Sequence, residues 1–261
     1  MHTFIMIIVL LLASAPSLAA QELMPEPFTD RSIGIELMRP LFDGDDELDA
    51  LSGAAHLSAR YRIGGVHLLV DVPFARMNDD RFVESTAFGN VMLGLEVVRE
   101  TRAYYATLRV PTAPRGEFAA QLAALADFQN AEAWFAELTT LSFGAIMRER
   151  YQSGFGFDAL FGAQIMDVGS DVSDDDTQLR LEYGAQFVYR PSAIGMTLGA
   201  QGLATLSGDG NFAERTIHEL RARLDYTAGR VRPAVGFVLP LDDTWREFLD
   251  GVVHLGVQLA I

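Results

Sequence analysis

The chain has no cysteine. Disulfides, thiol redox chemistry and thiolate metal sites are therefore excluded, and the absence fits an oxidising compartment. It also has no lysine. All 20 basic residues are arginines, set against 35 acids for a net charge of −15. That balance argues against nucleic acid as a partner, because phosphate binding needs a basic surface. Apolar runs long enough to span a bilayer as a helix are missing beyond residue 20. Zinc-ligand spacing, a phosphate-cradling glycine loop and a nucleophile elbow are missing too. The expectation is a protein that is not an enzyme and carries no metal or cofactor.

Residues 1–20 have the character of a secretory signal. Residues 4–12 (FIMIIVLLL) form an apolar core, and Ser17 and Ala19 are small residues where a signal peptidase reads. Nine apolar residues are too few to cross a bilayer. Residues 21–261 then form one domain.

That domain is a succession of segments in which apolar and polar residues alternate. They cover 32–38, 53–63, 66–74, 91–97, 104–110, 141–147, 155–165, 179–189, 194–198, 220–226, 231–239 and 253–261. The gaps between them alternate short and long. Gly64-Gly65 is a two-residue hairpin signal, and residues 99–101, 152–154, 190–192 and 227–229 are similarly short. Residues 41–51 and 167–176 are long and acidic. The pattern predicts an all-β, up-and-down antiparallel transmembrane β-barrel of about 12 strands, with tight periplasmic turns and longer external loops.

One face of these segments is apolar. The other carries Arg60, Arg62, Asp71, Glu96, Arg109, Arg148, Asp158, Arg180, Glu182, Glu219, Arg221, Arg223, Asp225 and Arg232. An arginine facing lipid near mid-bilayer costs roughly 2–4 kcal/mol, so in a membrane this set lines the lumen. A soluble barrel or sandwich would invert the faces, and alternation alone does not distinguish the two. Three features favour the membrane. The segments are near the length of tilted spanning strands. Tyr61, Tyr104, Tyr151, Phe155, Tyr189 and Tyr226 flank the short turns, as a periplasmic aromatic girdle would. Gly94, Gly144, Gly162, Gly184, Gly199, Gly236 and Gly256 fall on the inward face, where side chains converge. Glu149 falls on the lipid face, Pro233 predicts a bulge, and alternation fails after Ala200.

Residues 115–137 break the pattern. They are alanine-rich, with Phe118, Leu122, Leu125 and Phe128 at helical spacing, and Pro111 and Pro114 stop the preceding strand. They form a helical insertion in a long loop. Packing on the rim is the ordinary expectation; capping the mouth or folding into the lumen are the alternatives. His56, His67 and His254 fall on the lumenal face and could converge if the first, second, third and last strands meet at barrel closure; a polar lumen lining is the ordinary reading. Asp43, Asp45, Asp46, Glu47 and Asp174 to Asp176 lack calcium-loop spacing and make an acidic rim. The lumenal charges either pair across the interior or segregate onto opposing walls; the sequence leaves both open.

Residues 88–96 (FGNVMLGLE) and 108–112 (LRVPT) resemble a recurring pattern in the outer-membrane barrels associated with meta-pathway phenol degradation. Gly89, Leu93, Gly94, Leu95, Pro111 and Thr112 match. Asn90, Glu96 and Ala113 stand where that family has Asp, Lys and Gly. The resemblance implies an outer-membrane channel for small organic, including aromatic, molecules. A barrel of this class would be exported through the periplasm, inserted by the barrel assembly machinery, and surrounded by lipid and lipopolysaccharide. A plugged, surface-interacting barrel is the competing expectation.

Overall fold

The computed structural model describes residues 29–42, 52–78, 84–167, 177–207, 215–247 and 249–261. The signal sequence and the acidic rim clusters lie outside the described residues.

Alternating sequence becomes extended chain throughout. The strands are β1 (Arg31–Phe42), β2 (Gly53–Ile63), β3 (Val66–Met77), β4 (Ser85–Phe88), β5 (Val91–Arg99), β6 (Arg102–Val110), β7 (Thr139–Arg150), β8 (Phe155–Asp167), β9 (Thr177–Tyr189), β10 (Ile194–Thr205), β11 (Thr216–Tyr226), β12 (Val231–Pro240) and β13 (Leu249–Ala260). β4 and β5 both pair with β3, at its two ends, so they are two halves of one stave interrupted at Gly89 and Asn90. Each stave pairs antiparallel with its chain neighbours. β1 pairs with both β2 and β13, which closes a 12-stave barrel. At the β2–β3 hairpin Gly64 takes φ +61°, a conformation that costs a side-chain-bearing residue and suits glycine.

The faces are inverted relative to a barrel in water. Phe161 and Phe187 on the outer surface are 64% and 66% exposed, and Leu93, Leu95, Leu198, Leu224 and Leu255 are exposed with them. Asp158 and Glu219 on the inner face are fully buried. Such an outer surface is built for a hydrocarbon solvent, and closure lets the strands pair their backbone groups within the wall.

The three irregular places resolve without a slip. Pro233 makes no bulge: register with β13 runs unbroken from Val231↔Leu259 to Val238↔Val252, and the β11 ladder ends at Asp225↔Ala234. The missing N–H therefore falls where that ladder has already stopped. A register shift does occur at the other end of β13, where Leu41 and Phe42 of β1 pair with Gly251 and Leu249. β10 keeps register to Ala204↔Thr216. Its alternation fades because outward Gly202 is covered by the Tyr183 ring, while inward Leu203 is buried. Glu149 stays outside and exposed, one residue from the end of β7.

The insertion does not rest on the rim. Helix α1 (Phe118–Ala126) and a 3-10 segment (Phe128–Ala133) lie against the inner wall. The two are separate because Asp127 leaves helical geometry, at φ −125° and ψ 48°. Ala119, Ala123 and Ala133 are fully buried, and small side chains let the helix approach β1–β4 closely. Trp134 packs with them. A short helix α2 (Asp243–Arg246), in the loop before β13, stacks Trp245 on Phe128, with ring centroids 5.2 Å apart.

Candidate functional site: a lumen crossed by a loop

The residue that organises the lumen is Asn90, at the break between β4 and β5. It is fully buried. Its side-chain amide donates to the carbonyls of Glu132 (2.9 Å) and Phe135 (2.7 Å), with Leu138 at 3.4 Å. Its Oδ1 accepts from the backbone N–H of Thr112 and of Ala113, both at 2.8 Å. Its own N–H donates to Ala133 at 2.6 Å. Thr112 ties the same corner: its hydroxyl donates to Gly89 O (2.7 Å) and accepts from Val91 N (2.9 Å). One asparagine thus holds both ends of the inserted loop. Gly89 is required beside it, since a Cβ there would sit 2.5 Å from Ala133 O and 2.8 Å from Pro73. Gly89, Asn90, Pro111 and Thr112 are motif residues singled out in the sequence, and here they form the loop's anchor.

A second tie is ionic. His56 on β2 lies between Asp71 on β3 (2.9 Å from Nδ1) and Asp127 of the insertion (3.2 Å from Nε2), all three buried. Trp134 Nε1 donates to Asp127 at 3.1 Å, and its ring meets the His56 ring edge-on. Arg109 donates to Asn90 O at 3.1 Å and approaches Asp71 and Glu132 at 3.7 and 3.8 Å. Across the lumen, Gln129 Nε2 donates to Ile217 O on β11 at 3.3 Å. The insertion therefore crosses from the β2–β6 wall to the opposite side.

The remaining predicted residues pair mostly with near neighbours around the wall. Arg60 meets Glu96 at 2.5 Å, with Arg148 3.7 Å from the same carboxylate. Asp158 accepts from Arg150 and from Gln186. Asp225 is held by Arg232 (2.9 Å) and Arg190 (2.6 Å). Arg221 pairs with Glu219, and Arg223 lies 3.8 Å from Glu36. The charges thus interleave rather than segregate onto two walls. The three histidines do not converge: His56 has its aspartates, His67 faces Asp30 and Glu96, and His254 meets Glu36 at 2.9 Å. Arg62, two residues from the Gly64 turn, is half exposed and pairs with Asp30 at 2.8 Å, outside the buried network. Those partners hold the Asp30 carboxyl below its usual range, Arg62 foremost. Among the described residues no group of three His, Asp or Glu side chains is arranged to hold a metal.

One side chain uses the inward glycines. Tyr105 on β6 lies across Gly144 and Gly162 on the next two strands, and its hydroxyl donates to Glu182 on the third at 3.0 Å. Any Cβ at either glycine would collide with the tyrosine. On the outer face at the short-turn end, Tyr104, Tyr151, Phe155 and Tyr226 are exposed. Tyr61 lies beneath the Arg31 guanidinium at 4.6 Å, and Tyr189 packs on Phe155 at 4.4 Å.

Glu36, Asn90, Tyr105 and Arg190 were not among the predicted site residues. For Glu36 a signal was present, since it alternates with Ile35 and Leu37. Asp127 and Glu132 had none, because their partners depend on where the insertion folds.

No family model and no curated protein matches this chain. Solved structures do. An outer membrane channel from Pseudomonas putida F1 aligns with a TM-score of 0.57 at 13% identity, covering 94% of this chain and 100% of that one. The outer membrane channel DcaP of Acinetobacter baumannii aligns at 0.36 and 9% identity, covering 88% and 95%. The first of these establishes a shared fold.

Proposed function

We propose that the protein is an outer-membrane channel for passive passage of small solutes, with the insertion forming its constriction. The observation that carries this is the buried helix and 3-10 segment crossing a charge-lined interior, anchored by Asn90 and His56. The apolar outer surface suits lipid and the aromatic residues suit one interface. The shared fold with a bacterial outer membrane channel supports the same reading. The resemblance around Gly89 and Pro111 extends it to small organic, including aromatic, molecules. On this reading the long loops face outward, toward lipopolysaccharide, and assembly proceeds through the barrel assembly machinery.

Planar-bilayer recording of the mature chain tests it. Small single-channel steps are expected, and larger ones when residues 115–137 are replaced by a short Gly-Ser link. The specific observation favouring a plugged surface barrel is the full burial of His56, Asp158 and Glu219. Absence of steps in both proteins would establish that alternative and end the channel reading.

A further inference from the structure

At the long-loop end, between the insertion and the ends of β8 and β9, lies a cavity of about 540 Å³. That is within the usual size of small-molecule sites. Trp134, Phe135, Leu138 and Met166 give it aromatic and apolar walls, and Arg180 reaches it from β9. The charges around it are not equivalent. Glu137 is engaged by Arg115, and Glu117 accepts a hydrogen bond from the Ser85 hydroxyl at 2.8 Å. Arg180 has no such partner among the described residues. Its Nε is buried without a hydrogen bond, and no carboxylate among the described residues lies within ion-pair distance of its guanidinium. Among the described residues Glu132 is the carboxylate that acts on it, through space. Burial holds the Glu132 carboxyl above its ordinary range, which weakens even that compensation. A mostly buried guanidinium without a counter-charge is costly unless something supplies one.

We infer that this cavity is a binding site for small organic carboxylates, the apolar body lying against Trp134 and Phe135 and the carboxylate on the Arg180 guanidinium. A planar fork of donors matches a carboxylate bidentately. Gln178 lines the same cavity and offers an amide beside it. The inference deepens the channel reading by naming a solute class, but the binding itself does not require flux.

Titration of the purified protein with benzoate, benzyl alcohol and benzylamine tests it. The readout is Trp134 fluorescence in a Trp245→Phe background, since these are the chain's two tryptophans. Saturable quenching by benzoate is expected, with benzyl alcohol and benzylamine weaker by about tenfold or more. Arg180→Gln should weaken benzoate by about tenfold, the scale of one charge-assisted hydrogen bond, and leave benzyl alcohol unchanged; Arg180→Lys should retain part of the effect. Equal binding of the three ligands, or benzoate binding indifferent to Arg180→Gln, overturns the site. Liposome flux of benzoate is measured in parallel. Arg180-dependent binding without flux removes the channel reading and keeps the site; flux without such binding does the reverse.

Discussion

Replacing Asn90 with alanine should release the inserted loop. The side chain makes four well-formed hydrogen bonds to loop backbone, at 2.7 to 2.9 Å. Each contributes about 1 kcal/mol net, and the loop carbonyls and N–H groups left behind are shielded from water. The docked state should therefore lose about 4 kcal/mol, roughly a thousandfold in the ratio of docked to undocked loop. Because the chain has no cysteine, a single reporter can follow this. Ala123, on α1, is fully buried. In an Ala123→Cys background, maleimide labelling should be slow with Asn90 intact and much faster with Asn90→Ala. Single-channel steps should rise toward those of the loop deletion. Asn90→Asp is a sharper case. It keeps the acceptor for Thr112 and Ala113 but turns a carboxylate oxygen toward the Glu132 and Phe135 carbonyls, so it should also undock the loop. Unchanged labelling and unchanged conductance in Asn90→Ala would refute the assignment of Asn90 as the anchor.

His56→Ala should cost about 3–5 kcal/mol, because it removes the imidazole that bridges two buried carboxylates, Asp71 and Asp127; urea unfolding followed by loss of heat-modifiable mobility in gels would register it. Gly162→Ala should destabilise the barrel by about 1–3 kcal/mol through collision with the Tyr105 hydroxyl. Tyr105→Phe should recover part of that loss, and strict additivity in the double-mutant cycle would contradict the contact. Glu132 gives a pH dependence with a definite sign. Burial raises its carboxyl above the ordinary carboxylate range, so its contribution to docking is fully present below that range. The contribution is lost as pH rises through the folded-state value. Labelling of the Ala123→Cys reporter should therefore accelerate with rising pH, and Glu132→Gln should flatten that part of the profile.

Much of the wall was legible in the chain because a strand has a period of two. Each of the 12 staves was identifiable from its alternation, and β2 from Gly53 to Ile63 matched at both ends. Alternation also put Asp158 and Glu219 opposite the apolar set, and both are fully buried. Ends were less legible: β10 runs to Thr205, although its alternation fades at Ala200. The pairing of Arg60 with Glu96 required registers of β2, β3 and β5 that no single segment encodes. The Gly89–Thr112 pattern was visible as a motif, but its role as an anchor was not, because the groups that the Asn90 side chain bonds lie 22 to 48 residues away in the chain.

The sequence by itself determined the strand pattern, the two faces and the helical character of the insertion, all consequences of local periodicity and of proline, glycine and alanine placement. Which face meets solvent, whether the charges interleave, and where the insertion lies were decided only by tertiary structure. Closing the barrel confines the charged face to a narrow interior, where each buried charge must find a partner or stay costly. Folding the insertion into that interior is what gives Asn90 and Asp127 their partners, adds a second carboxylate to His56, and leaves Arg180 with no carboxylate at ion-pair distance among the described residues.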